Sequence, residues 1–396
     1  MPTMRGQVLA MLLDCALRTW GTREDLWLQF SQALIARGVR PVLVFSEAPV
    51  EALRNRFRGD GVEVEAINYG KGALHYYREL GRVVRKYSVS AVHIAFFDYF
   101  SLIPWLARLS GVRCIVYQER NPGVLQARSW KKQLLRLRTR AVALPMTRVI
   151  AISDFIRHQL IEVGIPERKV SLVYHGVDTR RYSPDPVARA RLTTEFAIRP
   201  EEIVLTALTY MNRPHKNVDT ILEACSQLKR RGLPVRLFMI GEGAMRAGLQ
   251  LAGQKLGIED RVHWLGHIPD PIPVLQGSDL FLMVSEGEGF GLALAEAMAC
   301  GVAGVAARSG ALPELVEDGT SGLLVPPRDA TALADAVQKL AGNERLRREM
   351  AQRGLERVRR KFTVPGSIEN VVKVYESIWS SEATRVKRAT SGWSGS

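Results

Sequence analysis

Residues 280–301 read LFLMVSEGEGFGLALAEAMACG. The unbroken apolar run Leu280–Val284 suits a strand buried on both faces, as in a parallel sheet. Gly287, Gly289 and Gly291 then open a loop, and the Ala-rich segment Leu292–Cys300 suits a helix. Strand, glycine loop and helix form the repeating unit of doubly wound sheets, whose ligands bind outside the carboxyl ends of the strands. Two carboxylates occupy this unit: Glu288 in the loop and Glu296 eight positions on, one or two turns into the helix. The start of a helix favours an anion such as a diphosphate, and carboxylates accept hydrogen bonds from sugar hydroxyls. A sugar joined to a nucleotide diphosphate offers both partners. Taken alone, the stretch reads equally well as a plain strand-to-helix turn with two surface glutamates.

The same alternation extends through the chain. Val8–Leu13, Pro41–Phe45, Ala91–Ile94, Cys114–Tyr117 and Val149–Ile152 are short apolar runs, separated by amphipathic stretches such as Glu24–Arg37 and Ala73–Tyr87. After a polar, Pro-rich stretch the pattern restarts with Ile203–Leu208, Val235–Ile240, Val262–Leu265, Leu280–Val284, Gly304–Ala306 and Gly322–Val325. A chain of 396 residues exceeds the size of one usual core. The expected architecture is therefore α/β, with two Rossmann-like doubly wound domains facing a cleft. The expected boundaries are an N-terminal domain at 1–183, a linker at 184–200 and a C-terminal domain at 201–365. A helix at 366–380 is expected to pack back on the N-terminal domain, ahead of a disordered tail at 381–396.

The net charge of +15 favours a polyanionic or membrane-surface partner, or an anionic substrate. Cys15, Cys114, Cys225 and Cys300 are scattered, with no metal-ligand or disulfide spacing, as expected of reduced thiols in the cytoplasm. Val8–Leu13 is too short for a signal-peptide core and no window is long enough to span a membrane. The first strand lacks the GxGxxG of nicotinamide dehydrogenases. Basic residues are not interleaved with stacking aromatics, which disfavours a nucleic-acid-binding protein.

Several further segments follow one another along the chain. They are Ala151-Ile-Ser153, Ser171-Leu-Val-Tyr-His-Gly176-Val-Asp178, Met239-Ile-Gly-Glu-Gly243 and Arg261-Val-His-Trp-Leu-Gly266. After them come Glu288-Gly-Phe-Gly-Leu292, Glu296-Ala-Met-Ala-Cys-Gly301 and Pro313-Glu314 through Gly322-Leu-Leu-Val325. On these residues the chain resembles the retaining glycosyltransferases of the GT-B architecture, family 4, also called glycosyl transferases group 1. The resemblance implies a hexose transfer from a nucleotide-diphosphate sugar to an acceptor hydroxyl, with no cofactor beyond that donor.

It also implies roles. Glu296 would hold the ribose hydroxyls and Glu288 the donor sugar. The backbone at Gly289, Phe290, Gly291 and Leu292 would face sugar and diphosphate, and Gly266 and Ile268 would flank the base. Lys216 matches the family's diphosphate lysine. The arginine usual six positions earlier is Tyr210 here, so either Arg213 replaces it or one positive contact is missing. No Asp-x-Asp motif and no His/carboxylate cluster with ligand spacing is present, so metal-independent catalysis is expected. No residue stands out as a nucleophile for double displacement, and the resemblance implies a front-face reaction instead.

The acceptor side is thinner. Of the family's glycine loop after the first strand only Gly21 carries over, with His93 and Asp98 as further candidates. His93 reads first as a histidine satisfied within its strand and second as an acid/base. From Arg120 to Ser153 no acidic residue occurs. Trp130, Leu134, Leu137 and Ala141 form one helical stripe within 128–141, ringed by Arg128, Lys131, Lys132, Arg136, Arg138 and Arg140. Such a helix either lies on an anionic bilayer or packs its stripe inward with its charges in water. The first reading suits a cytoplasmic enzyme peripheral to the inner face of the membrane, with a lipid-linked or glycan acceptor. A small soluble acceptor is the alternative.

Overall fold

The computed structural model describes residues 4–15, 22–98, 100–119 and 132–391. Its contacts divide the chain into two units: residues 1–174 with 365–396, and residues 175–364. The division falls earlier than the 184–200 connection read from the sequence. That connection is also not structureless, because it carries the helix Ala188–Phe196. Leu192 of this helix is buried in a cluster with Ile198, Val204, Phe238, Ile240 and Val274. The helix is held by burial on one side despite the prolines before it.

The first unit holds a parallel sheet of β1 (Val8–Leu13), β2 (Arg40–Phe45), β3 (Glu63–Ala66), β4 (Ala91–Ala95), β5 (Cys114–Glu119), β6 (Arg148–Ala151) and β7 (Val170–Leu172). Its spatial order is β3-β2-β1-β4-β5-β6-β7. The central strands are the apolar runs legible in the sequence, and every residue of β1 and β4 is buried. The two strands the sequence did not reveal, β3 and β7, are the sheet's edges. Edge strands lack a neighbour on one side, so β3 tolerates the polar sequence Glu63-Val-Glu-Ala66.

The helix Val364–Ser391 belongs to this unit from Pro365 onward. Glu369 pairs with Arg37 at 2.5 Å, and the buried Tyr375 hydroxyl lies 2.9 Å from His93 Nδ1. Of the stretch 381–396 expected as a disordered tail, residues 381–391 continue this helix, and 392–396 lie outside the described residues. No glycine or proline interrupts 367–391, so nothing in the backbone stops it.

The second unit holds β8 (Ile203–Leu208), β9 (Val235–Ile240), β10 (Val262–Gly266), β11 (Leu280–Met283), β12 (Ala303–Ala307) and β13 (Gly322–Val325). They are parallel, in the order β10-β9-β8-β11-β12-β13. The order reverses between β8 and β11. β8 pairs with β9 along its whole length, from Ile203 to Leu208, but with β11 only at Leu205 and Thr206. The carboxyl ends of β8 and β11 therefore part, which opens a crevice at the switch point where such sheets bind ligands.

Candidate active site

Two loops leave the parted ends of β8 and β11. The first, residues 209–217, ends in a 3-10 turn, Pro214–Lys216, and in Asn217 at φ +49. Asn217 is buried and its amide Nδ2 donates to the Val284 carbonyl at 3.0 Å. Glu286 N donates back to the His215 carbonyl at 2.8 Å. These two bonds lock the loops together and set Lys216 Nζ 2.5 Å from Glu288 Oε1. Both side chains are largely enclosed, at 22% and 16% exposure, so water screens their attraction less than on an open surface. Burial, and then the Lys216 charge, hold the His215 ring below its ordinary pKa. The Arg213 side chain is exposed, and its charge also acts on His215.

The glutamate loop is fixed from a third side. Ser309 Oγ accepts from Gly287 N at 3.1 Å, and Ala311 N donates to the Glu288 carbonyl at 2.9 Å. Gly310 lies so close beneath that a β-carbon there would sit 2.5 Å from Glu288 N. Glu286 is tied to Arg328 at 2.8 Å. The loop then turns at Gly291, φ +93, into the helix Leu292–Ala299. Gly291 brings no side-chain acceptor to the helix start, which leaves its first-turn N–H groups for an anion. The Phe290 ring is buried, stacked on His175 (5.7 Å between centroids) and set edge-on to Phe362. Gly289 beside it is buried as well.

Glu296 projects from the same helix and is 9% exposed. The Tyr182 hydroxyl and the Arg181 charge both favour its ionised form. Burial outweighs both and lifts the Glu296 pKa to about 7. At the end of β10, the Gly266 carbonyl accepts from Gly241 N at 2.8 Å. Ile268 is half-buried against the cluster around Phe238. In the second unit Arg213 and Lys216 follow β8, Glu288, Gly289, Phe290 and Gly291 lie on the loop after β11, Leu292 and Glu296 lie on the helix that follows it, and Gly266 ends β10 with Ile268 just beyond.

The acceptor candidates fare differently. Gly21 lies outside the described residues. Asp98, on the loop after β4, is exposed and accepts from Phe100 N at 2.8 Å. His93 is 1% exposed, with Nδ1 against the Tyr375 hydroxyl and Nε2 3.2 Å from Gln118 Oε1. Both nitrogens are thus engaged inside the first unit, which is the first of its two sequence readings. Among the described residues no three His, Cys, Asp or Glu side chains converge as metal ligands. No described helix is long and apolar enough to cross a membrane.

Sequence reasoning missed Asn217, Ser309, Gly310 and the pair Arg181–Tyr182. Asn217 carried a signal, as an Asn immediately before an apolar helix (Val218–Arg230). The others act from distant segments and carried none.

Residues 202–357 match the family model for glycosyl transferases group 1, and residues 24–181 match that for glycosyltransferase family 4. A GDP-mannose-dependent alpha-(1-6)-phosphatidylinositol monomannoside mannosyltransferase of Mycolicibacterium smegmatis is 30% identical over 276 residues, covering 67% of this chain and 70% of that one. The chain belongs to the group 1 glycosyltransferases. An N-acetyl-alpha-D-glucosaminyl L-malate synthase of Bacillus anthracis is 32% identical to this glycosyltransferase-family chain over 231 residues, 58% of each. The chain thus spans 58% of the length of that relative. The solved structure of HepE from Anabaena in complex with UDP has the same fold, with a TM-score of 0.78 at 19% identity over 94% of this chain and all of that one. Sucrose-phosphate synthase from Thermosynechococcus elongatus gives a TM-score of 0.75 at 21% identity, over 95% and 100% of the two chains.

Proposed function

We propose that this chain is a retaining, metal-independent hexosyltransferase that uses a nucleotide-diphosphate sugar. The observation that carries the reading is the Lys216–Glu288 pair at the β8/β11 switch point, with Glu296 one turn into the adjoining helix. One cation and one helix start suit a diphosphate, and two carboxylates at different depths suit a sugar and a ribose. In this reading Glu296 holds the ribose diol and Lys216, helped by Arg213, takes charge from the departing diphosphate. Glu288 steadies the positive charge that grows on the sugar ring.

In the transfer step the acceptor oxygen bonds to the anomeric carbon while the bond from that carbon to the diphosphate oxygen breaks. The acceptor's proton passes to the departing diphosphate, so attack and departure share one face and configuration is kept. The units divide the work: residues 175–364 hold the donor, and residues 1–174, with Asp98 the exposed candidate among them, hold the acceptor.

A lipid-linked or cell-envelope glycan is the acceptor class we favour, with the enzyme peripheral to the inner face of the membrane. Within the Lys132–Ala143 helix Leu134 and Leu137 are exposed, as is Leu144 just beyond it. Beside it, Leu102, Trp105 and Leu109 are exposed at a spacing of three and four on and before the helix Ile103–Leu109. Trp105 Nε1 donates to the Ala141 carbonyl at 3.1 Å, so the two apolar stripes adjoin. Arg136, Arg138 and Arg140 are exposed around them, the combination that an anionic bilayer attracts. The names of the relatives include both a phosphatidylinositol-linked and a malate product, so a small soluble acceptor is the competing outcome.

Thermal shift against UDP-, GDP- and ADP-sugars tests the core of this reading, with stabilisation by one nucleotide class expected. Stabilisation by none would overturn it. Product NMR with the selected donor then reads the anomeric configuration, and EDTA should leave the rate unchanged.

A further inference from the structure

The glutamate loop rests on a short helix, Leu312–Leu315. Ala311, just before that helix, donates from its N–H to the Glu288 carbonyl at 2.9 Å. Leu312 and Leu315 are both fully buried, and they press on the open face of Gly291. A β-carbon at Gly291 would sit 2.6 Å from Leu312 Cδ2 and 3.1 Å from Leu315 Cδ1. A helix of 4 residues has little stability of its own, so its neighbours must hold it. Its last carbonyls also have no partner within the helix.

Arg357 supplies the missing donors. It lies near the end of the helix Glu344–Lys361, which is anchored separately through the buried Met350, Gly354, Leu355 and Val358. Its own side chain is 11% exposed. Nε donates to the Leu315 carbonyl at 2.8 Å and Nη2 to the Glu314 carbonyl at 2.9 Å, while Nη1 pairs with the Glu317 carboxylate. The guanidinium also lies over the Phe362 ring, 5.9 Å from its centroid. Phe362 in turn meets Phe290 edge-on at 5.7 Å. One planar fork thus reaches the glutamate loop by two routes, through the Leu312–Leu315 helix and through a pair of aromatic rings.

We propose that Arg357 is a positioning residue for Glu288: its fork fixes the support under the glutamate loop, and so fixes where the carboxylate stands beside the donor sugar. The proposal rests on Glu288 acting at the sugar. A lysine is no substitute here, because its ammonium is a point charge without the rigid fork that meets two carbonyls and a carboxylate together. The hydrogen bonds of Arg357 end on residues 314, 315 and 317, whereas Glu296 is carried by the helix Leu292–Ala299. Loss of the fork should therefore displace the carboxylate at the reacting centre more than the anchor of the nucleotide.

The test is Arg357→Met, which keeps the apolar stem and deletes the fork, beside Arg357→Lys. Turnover is followed as release of nucleoside diphosphate from whichever UDP-, GDP- or ADP-sugar the wild type uses. Arg357→Met should lower kcat about 100-fold, the usual cost of a misplaced group at a reacting centre. Arg357→Lys should lower it about tenfold, since one charged donor remains. The Kd for the free nucleoside diphosphate should change by less than about threefold in both. In a Glu288→Gln background neither change should lower kcat by more than about a further threefold. A folded variant with wild-type kcat overturns the proposal. So does a loss of kcat matched by an equal rise in Kd, or one that persists in full beside Glu288→Gln. Should Arg357→Met fail to fold, Arg357→Lys is held to the same three outcomes. If the wild type uses none of these donors, the donor reading and this proposal fall together. If it does and the Arg357 variants are silent, only this proposal falls.

Discussion

Lys216 Nζ and Glu288 Oε1 lie 2.5 Å apart, joining the loops after β8 and β11 across the switch point of the second sheet. In the free protein each neutralises the other. In the proposed donor complex, a diphosphate that claims Lys216 would leave Glu288 with an unshared charge beside the sugar, where a cation-like transition state would welcome it.

Lys216→Ala should therefore lower kcat/KM by about 100-fold or more, the usual cost of losing a charged contact made to the leaving group. Glu288→Gln should lower kcat by a comparable factor with little change in donor KM. Steady-state kinetics with the selected donor checks both. A Glu288→Gln variant that changes only KM would place this carboxylate in ground-state binding.

Glu296→Gln should behave differently, raising donor KM with a smaller effect on kcat. It should also stabilise the free protein at alkaline pH. Burial keeps the proton on Glu296 up to about pH 7 in the folded chain, against an ordinary value of 4.5. The stability that the protonated form contributes is complete below 4.5 and is lost as the pH rises through 7. The glutamine variant escapes that loss, by about 3 kcal/mol at most at pH 8 and by nothing near pH 4. Urea unfolding of both proteins at the two pH values reads the difference.

The contrast between these glutamates marks how far the sequence was legible. The loop-and-helix unit from Leu280 to Cys300 is local, so its glycines, its strand and the spacing of its two carboxylates were all visible as text. The partners of those carboxylates were not. Tyr182 acts on Glu296, and Ser309 and Gly310 reach the Glu288 loop, only because the chain folds back, and no period or motif records such contacts. The strands Glu63–Ala66 and Val170–Leu172 were hidden for another reason: an edge position removes the burial that writes an apolar run. The prolines at 184 and 186 masked the helix Ala188–Phe196, which depends on its packing partners rather than on its own propensity.

Gly310→Ala should disable the site without unfolding the chain. The new β-carbon would meet Glu288 N at 2.5 Å and Glu288 O at 2.6 Å, on a backbone at φ +60. The glutamate loop must then shift, and a displacement of that size at a reacting centre costs about 100-fold in rate. Circular dichroism should be unchanged while kcat falls.

Leu109→Gln, Leu134→Gln and Leu137→Gln combined should weaken binding to vesicles containing phosphatidylglycerol and leave thermal stability intact, since all three side chains are already exposed. Co-sedimentation at low and at moderate salt separates the apolar from the ionic part of the attraction. Sedimentation that is unaffected would remove this face as a lipid contact.

The helix Val364–Ser391 has a consequence for how the protein is made. Residues 175–364 are continuous in sequence, so the second unit is complete as soon as that stretch has been synthesised. The first unit is not. His93 finds Tyr375, and Arg37 finds Glu369, only after the last helix has left the ribosome. The part of the chain that is translated first is therefore the part that finishes folding last.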